Sequence, residues 1–387
     1  MGNYWCQTVE LTSQVVGAIH DGNLLLLKEL NEAANESSIV SDNKRFLGLQ
    51  LHAAIEEGHL KCLSYLLQIG ADPCYYYCVD RMTPLHHAVL KGKRNVIETC
   101  RILLDAKADI NAQNIWGRTP LISAIVNFKT MAAEFLIGEN ANLNIQDESG
   151  TTPLMVCASY NNHDLLKKLL LKDANINQVD AKGRTALHFA VVGKHIGVIK
   201  ELVSCNCMLS TYDVYGHTPL HAAITKCHTE ITDILIHGGI RVISSSTHII
   251  DLCFKIVHST VTRCLAYHSE SDCAQAISSL ECMHQVLIAM GPPLKKSIYQ
   301  KALRLEKSIP KLDSLPECVQ RVVVFFNKVT ALVAQITAKN PKTMDTLQNL
   351  SRRACRQATI ASGHNVTWAV HHMDIHTFLK DLILFKS

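Results

Sequence analysis

The sequence predicts an all-α solenoid, in which pairs of short helices alternate with short β-hairpins, followed by a helical extension and a small helical domain at the carboxyl terminus. Two observations predict this fold. A helix-starting tetrapeptide recurs through the first 240 residues at steps of 33 to 36 residues, and beyond that point longer helical patterns replace it. The leucines of the recurring element are Leu51, Leu85, Leu121, Leu154, Leu187 and Leu220.

Each tetrapeptide has the chemistry of a helix start, as in Thr83-Pro84-Leu85-His86. The threonine hydroxyl can accept a hydrogen bond from a free amide, proline at the first helical position gives up no needed donor, and the leucine points into the stack. The other copies read Thr119-Pro120-Leu121-Ile122, Thr152-Pro153-Leu154-Met155, Thr185-Ala186-Leu187-His188 and Thr218-Pro219-Leu220-His221, with a degenerate Gln50-Leu51-His52 before them.

The rest of each repeat predicts one more helix and a loop. A glycine or its substitute follows seven residues after the leucine, as at Gly58 and Gly92, and marks the turn that ends the first helix. The second helix brings a leucine pair such as Leu66-Leu67 onto the core, and an Ala-Asp or Ala-Asn loop leads to the next hairpin. An earlier helix pair around Val15 to Ala34 is expected to cap the array. A repeat of this length and signature resembles the ankyrin repeat, whose arrays form binding surfaces.

Composition indicates an intracellular protein. Fifteen cysteines are scattered without a framework spacing, which favours reduced thiols over disulfides, and the net charge of +4 gives no indication of nucleic-acid binding. Neither Cys205-Asn206-Cys207 nor His371-His372 has a second ligand pair at zinc-finger spacing, so we expect no metal and no cofactor.

Targeting signals are weak. The amino terminus lacks a signal-peptide pattern, and the sequence has no run of eighteen uncharged apolar residues that would span a membrane. Gly2 with the nearby Cys6 leaves lipidation open. The expected location is the cytoplasm, with the nucleus as a second compartment.

The segment after residue 240 predicts longer helices of unassigned role. They run through Ile249 to Tyr267, through Ala274 to Met290, after Pro293, and through Val319 to Thr337. The run Val322 to Phe326 is apolar enough to lie fully inside a packed bundle.

The carboxyl terminus carries a more specific pattern. From Thr346 to Arg356, leucines and small residues fall at helical spacing between arginines, and the chain ends on Met373 to Phe385, which includes Leu379-Lys380-Asp381-Leu382. The two segments resemble the two halves of a SOCS box, and ankyrin repeats followed by this box resemble the ankyrin repeat and SOCS box family of ubiquitin-ligase substrate receptors. An ordinary amphipathic helix packed on its own domain is the alternative for the first segment.

The resemblance implies two binding segments. Ser351 stands where the family has cysteine and Cys355 where it has a larger aliphatic residue, while Asp374 and His376 replace both prolines of the segment that selects a cullin. Elongin binding is therefore better supported than cullin recruitment. The implied elongin-binding residues are Leu347, Leu350, Ser351, Ala354 and Cys355, and the implied cullin-binding residues are Met373, Asp374, Ile375, His376 and Leu379.

The function predicted from these features is that of a non-catalytic adaptor. The repeats would hold a protein substrate and the terminal box would bind elongins B and C, with a cullin of the cullin 5 type and a RING protein completing the ligase. We find no nucleophile with a legible base and no phosphate-binding glycine loop, so the chain is not expected to be an enzyme itself. The competing prediction is an ankyrin-repeat scaffold or inhibitor without a ligase role.

Substrate contacts are expected on the hairpin tips. Aromatic residues there gain little from the core and often anchor interfaces, although Trp116 could instead fold back on the neighbouring hairpin. The predicted contacts are Asp80, Ile115, Trp116, Lys182 and Tyr215. The predicted domains are an amino-terminal cap or degenerate repeat at 1–48, about six repeats at 49–240, the extension at 241–340 and the SOCS box at 341–387.

Overall fold

The computed structural model describes residues 2–36, 43–76, 80–239, 247–267, 269–290 and 317–337. These residues fold into two compact units, Met1–Val214 and Tyr215–Ser387. The helices of the first unit are α1 (Gly2–His20), α2 (Leu24–Glu36), α3 (Asn43–Glu57), α4 (Leu60–Gln68), α5 (Pro84–Lys91), α6 (Val96–Asp105), α7 (Pro120–Val126), α8 (Thr130–Gly138), α9 (Pro153–Ser159), α10 (His163–Leu171), α11 (Ala186–Val192) and α12 (Ile196–Ser204). The helices of the second are α13 (Pro219–Thr225), α14 (Thr229–His237), α15 (Thr247–Tyr267), α16 (Glu270–Met290) and α17 (Glu317–Thr337).

The first unit is a solenoid of helix pairs. Helix α1 packs on α2 and α3, and from α3 onward each first helix packs on the first helix of the next repeat and on its own second helix. The expected helix pair around Val15 to Ala34 lies in α1 and α2, and Val15, Ile19 and Leu27 are buried there.

Threonine begins the first helices as predicted. Thr119 Oγ1 accepts a hydrogen bond from the Ile122 amide at 3.2 Å, and Thr152 Oγ1 accepts one from Met155 at 3.3 Å. Where histidine occupies the fourth position of the tetrapeptide it contributes too, because the Thr185 amide donates to His188 Nδ1 at 3.1 Å. Each contact satisfies a backbone or side-chain group that the helix start would otherwise leave free.

Histidine also joins one repeat to the next. The Nε2–H of the fully buried His86 donates to the carbonyl of Arg118 at 2.9 Å, while its Nδ1 faces the amide of Thr83. Burial lowers the pKa of His86 below its usual value, which keeps the ring neutral and suited to accepting at one nitrogen while donating from the other.

The core differs in one respect from the prediction. Every repeat leucine is buried, but of the predicted leucine pairs in the second helices only the first member is: the pairs are Leu66-Leu67, Leu103-Leu104 and Leu169-Leu170. Leu66, for example, is buried, whereas Leu67 stays partly accessible, because adjacent residues on a helix point about 100° apart. Burial of one leucine contributes about 1.5–3 kcal/mol.

The predicted glycine ends the first helix at both positions, since Gly58 follows the last residue of α3 and Gly92 follows the last residue of α5. The two glycines differ in backbone conformation: Gly58 has a φ of +76°, whereas Gly92 has a φ of −53° and a ψ of 121°, and the left-handed residue of that turn is Asn95. The second repeat is longer than the others, and its extra residues move the turn along the chain.

The predicted β-hairpins are turns without strands. Within the described ranges the structure has no strand, only a single bridge residue at Met82. Each loop exchanges too few backbone hydrogen bonds with its neighbour to build a β-ladder. The loops are nonetheless hairpin-shaped, since the Asn114 amide donates to the Arg118 carbonyl across the tip at 3.0 Å.

In the second unit, α15 and α16 pack along each other, and α16 also packs against α14 and α17. Val322, Val323 and Phe326 are buried, but Val324 and Phe325 remain partly accessible, so the apolar run of α17 lies only partly inside the bundle. The helix expected after Pro293 falls outside the described residues. Across the described residues, no helix combines the length and apolar character that spanning a membrane requires.

Candidate protein-binding surface

The hairpin tips of the first unit form a continuous surface, which we call the hairpin row. It begins at Asp80, continues through the tip pairs Ile115–Trp116, Glu148–Ser149 and Ala181–Lys182, and ends at Val214. The role of each side chain depends on how the backbone beneath it is held.

A short polar side chain closes each hairpin. Asn114 Oδ1 accepts hydrogen bonds from the amides of Trp116 and Arg118, both at 3.0 Å. Asp147 and Asp180 make the same pair of contacts in the next two hairpins, at 2.8–2.9 Å. The tips are thus fixed locally, by the Asn and Asp chemistry typical of tight turns.

Glycine lets successive tips approach each other. Gly150 has a φ of +76°, and a Cβ atom there would lie 2.5 Å from the backbone nitrogen of Ala181. A side chain would therefore be strained twice, by the left-handed backbone and by the neighbouring chain.

A backbone hydrogen bond then links each tip to the preceding one. The Glu148 amide donates to the Trp116 carbonyl at 3.0 Å, and the Ala181 amide donates to the Ser149 carbonyl at 3.1 Å. The ladder begins with Ile115 donating to Asp80 and ends with Val214 donating to Lys182. Because the backbone is held in this way, side chains on the row can bind a partner with little loss of backbone entropy.

Asparagine side chains form a second ladder below the first. Asn111 Oδ1 accepts from the Asn142 amide at 2.8 Å, Asn144 Oδ1 accepts from Asn175 at 2.8 Å, and Asn177 Oδ1 accepts from Met208 at 2.7 Å. This ladder explains why the loops repeat asparagine at that position.

The predicted substrate contacts are not equally accessible. Lys182 and Tyr215 are exposed, with Tyr215 at 72%, whereas Asp80 and Ile115 are partly buried and lend their backbone to the ladder. Trp116 is 41% exposed, so its side chain is partly covered and partly accessible. Tyr215 belongs to the second unit.

Sequence reasoning missed an apolar cluster at one end of the row. Val179, Met208, Tyr212 and Val214 are all exposed, and we call them the apolar end. A comparison of the repeats could have revealed this cluster. The position that is Val179 and Tyr212 in the last two repeats of the row is glutamine in the two repeats before them, at Gln113 and Gln146.

Those two glutamines have a structural role that valine and tyrosine do not share. Gln146 Nε2 donates to the carbonyls of Gly150 and Val179, each at 2.7 Å, and Gln113 makes the equivalent contacts to Gly117 and Gln146. Replacing such a residue with an exposed apolar side chain gives up hydrogen bonds without gaining burial, which makes the apolar end a candidate for binding a partner.

Two arginines beside the row lie next to aspartates. Arg184 donates to Asp180 Oδ2 from Nε at 2.9 Å and from Nη2 at 2.8 Å, and its guanidinium lies 4.4 Å from the centre of the Phe189 ring. Arg118 Nε is 3.8 Å from Asp147 Oδ2, too far for a hydrogen bond. The positive charges of these two arginines are thus offset by neighbouring carboxylates.

The buried cysteines have a structural role and no chemical one. Burial raises the pKa of Cys100 and Cys157 to about 12, which makes them unreactive at neutral pH. Within the described part of the chain, no group of three or more histidine, cysteine or acidic residues could hold a metal ion. All ten residues assigned to elongin and cullin binding lie outside the described residues.

Comparison with known proteins identifies the repeats. The family model for ankyrin repeats matches three times, over residues 16–114, 93–180 and 154–245. The ankyrin repeat domain of Bcl-3, a solved structure, covers 57% of this chain and 97% of its own, with a TM-score of 0.51 and 24% identity. That likeness concerns the fold alone.

Curated relatives match over short segments. The Drosophila melanogaster ARF GTPase-activating protein Git is 40% identical over 91 residues, which is 24% of this chain and 12% of that protein. The Rattus norvegicus Arf-GAP with coiled-coil, ANK repeat and PH domain-containing protein 2 is 38% identical over 93 residues, again 24% and 12%. The chain thus spans about an eighth of the length of these relatives.

Proposed function

The chain belongs to the ankyrin-repeat family, and from that premise we propose that it is a non-catalytic adaptor that presents a bound protein to a ubiquitin ligase. The repeats themselves suggest a scaffold for protein–protein interaction. The proposal has two further parts. The hairpin row holds the protein to be modified, and the carboxyl-terminal segment binds elongins B and C.

One observation carries the binding half of the proposal. Exposed apolar side chains at Val179, Tyr212 and Val214 stand on a backbone that two hydrogen-bond ladders hold in place. A rigid frame with solvent-facing apolar anchors is typical of a protein interface, because anchoring residues contribute most where little order has to be created.

The sequence from Thr346 to Arg356, with Met373 to Phe385, supports the elongin half. The ankyrin match ends at residue 245, so this half depends on the motif alone. Leu347, Leu350 and Cys355 would enter an apolar groove of elongin C as one face of a helix.

In this proposal, the chemistry belongs to the partners. A cullin of the cullin 5 type with a RING protein would bring the ubiquitin-loaded enzyme close to the held protein, and the rate gain would come from proximity. Asp374 and His376 leave the cullin segment without the prolines that would stiffen it, so we expect weak cullin binding that the double change to proline would tighten.

Co-purification with elongins tests the proposal. Wild type should co-elute with an elongin B–C complex at micromolar concentrations, and Leu347→Asp should abolish co-elution, since an ionised carboxylate in an apolar groove costs several kcal/mol. Leu171→Asp is the matched control, because Leu171 is 83% exposed on α10, within the repeats. A wild-type chain that fails to co-elute would remove the support for the ligase role.

The second candidate function is an ankyrin scaffold or inhibitor without a ligase role. It is favoured by the family model, whose three matches lie between residues 16 and 245. The two candidates differ in the state of Leu347, which would pack against residues 320–340 of its own chain in a plain scaffold. Hydrogen exchange over residues 346–356 should slow on adding elongin B–C in the first case and stay unchanged in the second.

A further inference from the structure

The turns between first and second helices form a second surface, which we call the turn edge. It consists of residues 91–95, 127–131, 160–164 and 192–196. It lies at the other end of the first helices from the hairpin row, about 10 Å away for a seven-residue helix. Neighbouring turns contact each other, as His195 Nε2 lies 3.0 Å from the Ser159 carbonyl.

Two exposed aromatic rings lie at the middle of the turn edge. Phe128 is 64% exposed and Tyr160 is 46% exposed, and their ring centres are 5.1 Å apart with the planes at 68°. Met131, also exposed, is the second residue of α8, the helix that follows Phe128. Edge-to-face pairs of this kind are favourable, but burying the rings would gain far more than the pair contributes in water.

Phe128 has a backbone conformation that is unfavourable for phenylalanine. Its φ is +57°, and the equivalent residues of the next two repeats are Asn161 and Lys194, both also left-handed. Asparagine is the residue that tolerates this conformation best after glycine, and a bulky aromatic one tolerates it poorly. A strained, solvent-exposed phenylalanine is better explained by binding than by folding.

The turn edge is also cationic. Its four segments contain five lysines and arginines and a single acid, Asp164. Lys93 pairs with Glu57 at 2.7 Å, but the remaining cations have no acid within ion-pair distance among the described residues. They are Lys91, Arg94, Lys129 and Lys194.

The occupant should therefore be acidic, and it should come from another molecule. The two longest stretches outside the described residues, 291–316 and 338–387, contain more lysine and arginine than aspartate and glutamate, so neither complements the turn edge. No turn has more than three lysines and arginines, the turn at 160–164 has none, and two turns offer aromatic rings. This arrangement suits an extended polypeptide better than the dense charge of a nucleic acid.

We propose that the turn edge binds an acidic segment of a partner protein, whose aromatic or long aliphatic side chain packs against Phe128 and Tyr160. The segment would run across the repeats, with its carboxylates facing Lys129 and Lys194 and an apolar side chain covering the ring pair. This site is separate from the hairpin row, so a ligase substrate and a second partner could be bound at once.

An array of short synthetic peptides tests the proposal with the full chain. The peptides combine glutamate or aspartate with phenylalanine or leucine. One control set replaces the acids with glutamine or asparagine, and another replaces the apolar residues with serine. We expect binding only to the acidic–apolar set, with affinity that falls as salt rises. Equal binding of the glutamine set, or no binding in any set, would overturn the proposal.

Variants locate the binding. Phe128→Asn installs the residue of the next repeat and should fold normally, while weakening the best peptide about tenfold or more. Replacing Lys129 and Lys194 with serine should weaken it similarly and reduce the salt dependence, because only Lys91 and Arg94 of the unpaired cations then remain. Leu171→Asn with Lys172→Ser, at the far end of α10, is the matched control and should change nothing. A loss in the control equal to that in the variants would contradict the assignment.

Two further measurements distinguish the acidic-peptide site from a nucleic-acid site and from the ligase role. A single-stranded oligonucleotide that binds more tightly than the best peptide, and is lost in Phe128→Asn, would show that the edge serves a nucleic acid and would overturn the proposal. Phe128→Asn should co-elute with elongin B–C as wild type does, so failure of the ligase role and failure of this site are distinguishable.

Discussion

The two ends of each repeat meet the same backbone requirement with different residues. At three hairpin tips of the first unit the left-handed position is glycine, namely Gly117, Gly150 and Gly183, and only the first hairpin has Arg81 there; at the turn edge the position is Phe128, Asn161 or Lys194. The neighbouring hairpin leaves no room for a side chain at the three glycines, while the turn edge is open to solvent. The comparison indicates that the tips fix the stack, and that the turn edge is free to vary and so to specialise.

The largest effect should come from filling a tip. Gly150→Ala places a methyl group 2.5 Å from the Ala181 nitrogen in a left-handed backbone, and we expect a loss of about 3 kcal/mol in the free energy of unfolding. Gly216→Ala is the matched control, because its φ is +74° and no described atom would lie within 4 Å of the new Cβ. It should cost about 1 kcal/mol in a urea titration. Equal losses would mean that the approach of the next hairpin is unimportant.

Lowering the pH should reduce the free energy of unfolding through the histidines His52 and His87. His52 and His87 meet with their Nδ1 atoms 2.6 Å apart, and burial, with a smaller contribution from His87, lowers the pKa of His52 from 6.5 to about 4. The unfolded chain takes up a proton below pH 6.5 and the folded chain does not, so stability should fall from pH 6.5 towards pH 4 by on the order of 2–3 kcal/mol.

Thermal unfolding across that pH range would measure the loss. His52→Gln keeps a polar side chain that cannot become charged, so its stability should depend much less on pH. A pH profile identical to that of wild type would place the titrating group elsewhere, with His86 and His284 as the next candidates, since burial lowers the pKa of both.

Replacing Trp116 should lower both the stability of the chain and its affinity for a partner. Its ring is 41% exposed, so Trp116→Ala should cost about 1–2 kcal/mol of stability for the covered part and about 2 kcal/mol of partner binding for the accessible part. Tyr212→Ala, on the exposed apolar end, should lose binding without losing stability. Calorimetric unfolding and partner titration of both variants would separate the two roles. A Tyr212 variant as unstable as the Trp116 variant would show that the apolar end is packed.

The smallest change in stability should come from the turn edge. In Phe128→Asn, relief of the left-handed strain offsets the lost contact with Tyr160, so unfolding free energy should stay within about 1 kcal/mol of wild type. The same urea titration measures it. A loss as large as that of Gly150→Ala would erase the difference between the two ends of the repeat.

Much of the fold follows from local chemistry that a sequence displays directly. The caps at Thr119 and Thr152 and the buried Leu85 and Leu121 depend on residue type and period alone. The exposure of a side chain cannot be predicted from local sequence in this way, because it depends on the neighbouring repeat. For that reason Leu67 and Val324, expected inside, are partly accessible.

The binding surfaces were predictable only in part. Trp116 stands out as an aromatic residue at a tip, but Val179 and Tyr212 become visible only when the repeats are compared with one another and the missing glutamine is noticed. The exposed position of Phe128 could not be predicted without knowing its left-handed backbone, since a phenylalanine in a helical repeat is otherwise expected in the core. The hairpins were expected as strands because their sequence pattern does not reveal how few ladder bonds they exchange.

A photo-crosslinking amino acid at position 212 would test the central claim, that the hairpin row holds a protein which the terminal segment delivers to a ligase. The experiment compares the otherwise wild-type chain with Leu347→Asp in cells. We expect the same crosslinked protein in both, carrying ubiquitin only when Leu347 is intact, and no such adduct when the crosslinker is placed at Leu171. A crosslinked protein whose ubiquitin does not depend on Leu347 would contradict it.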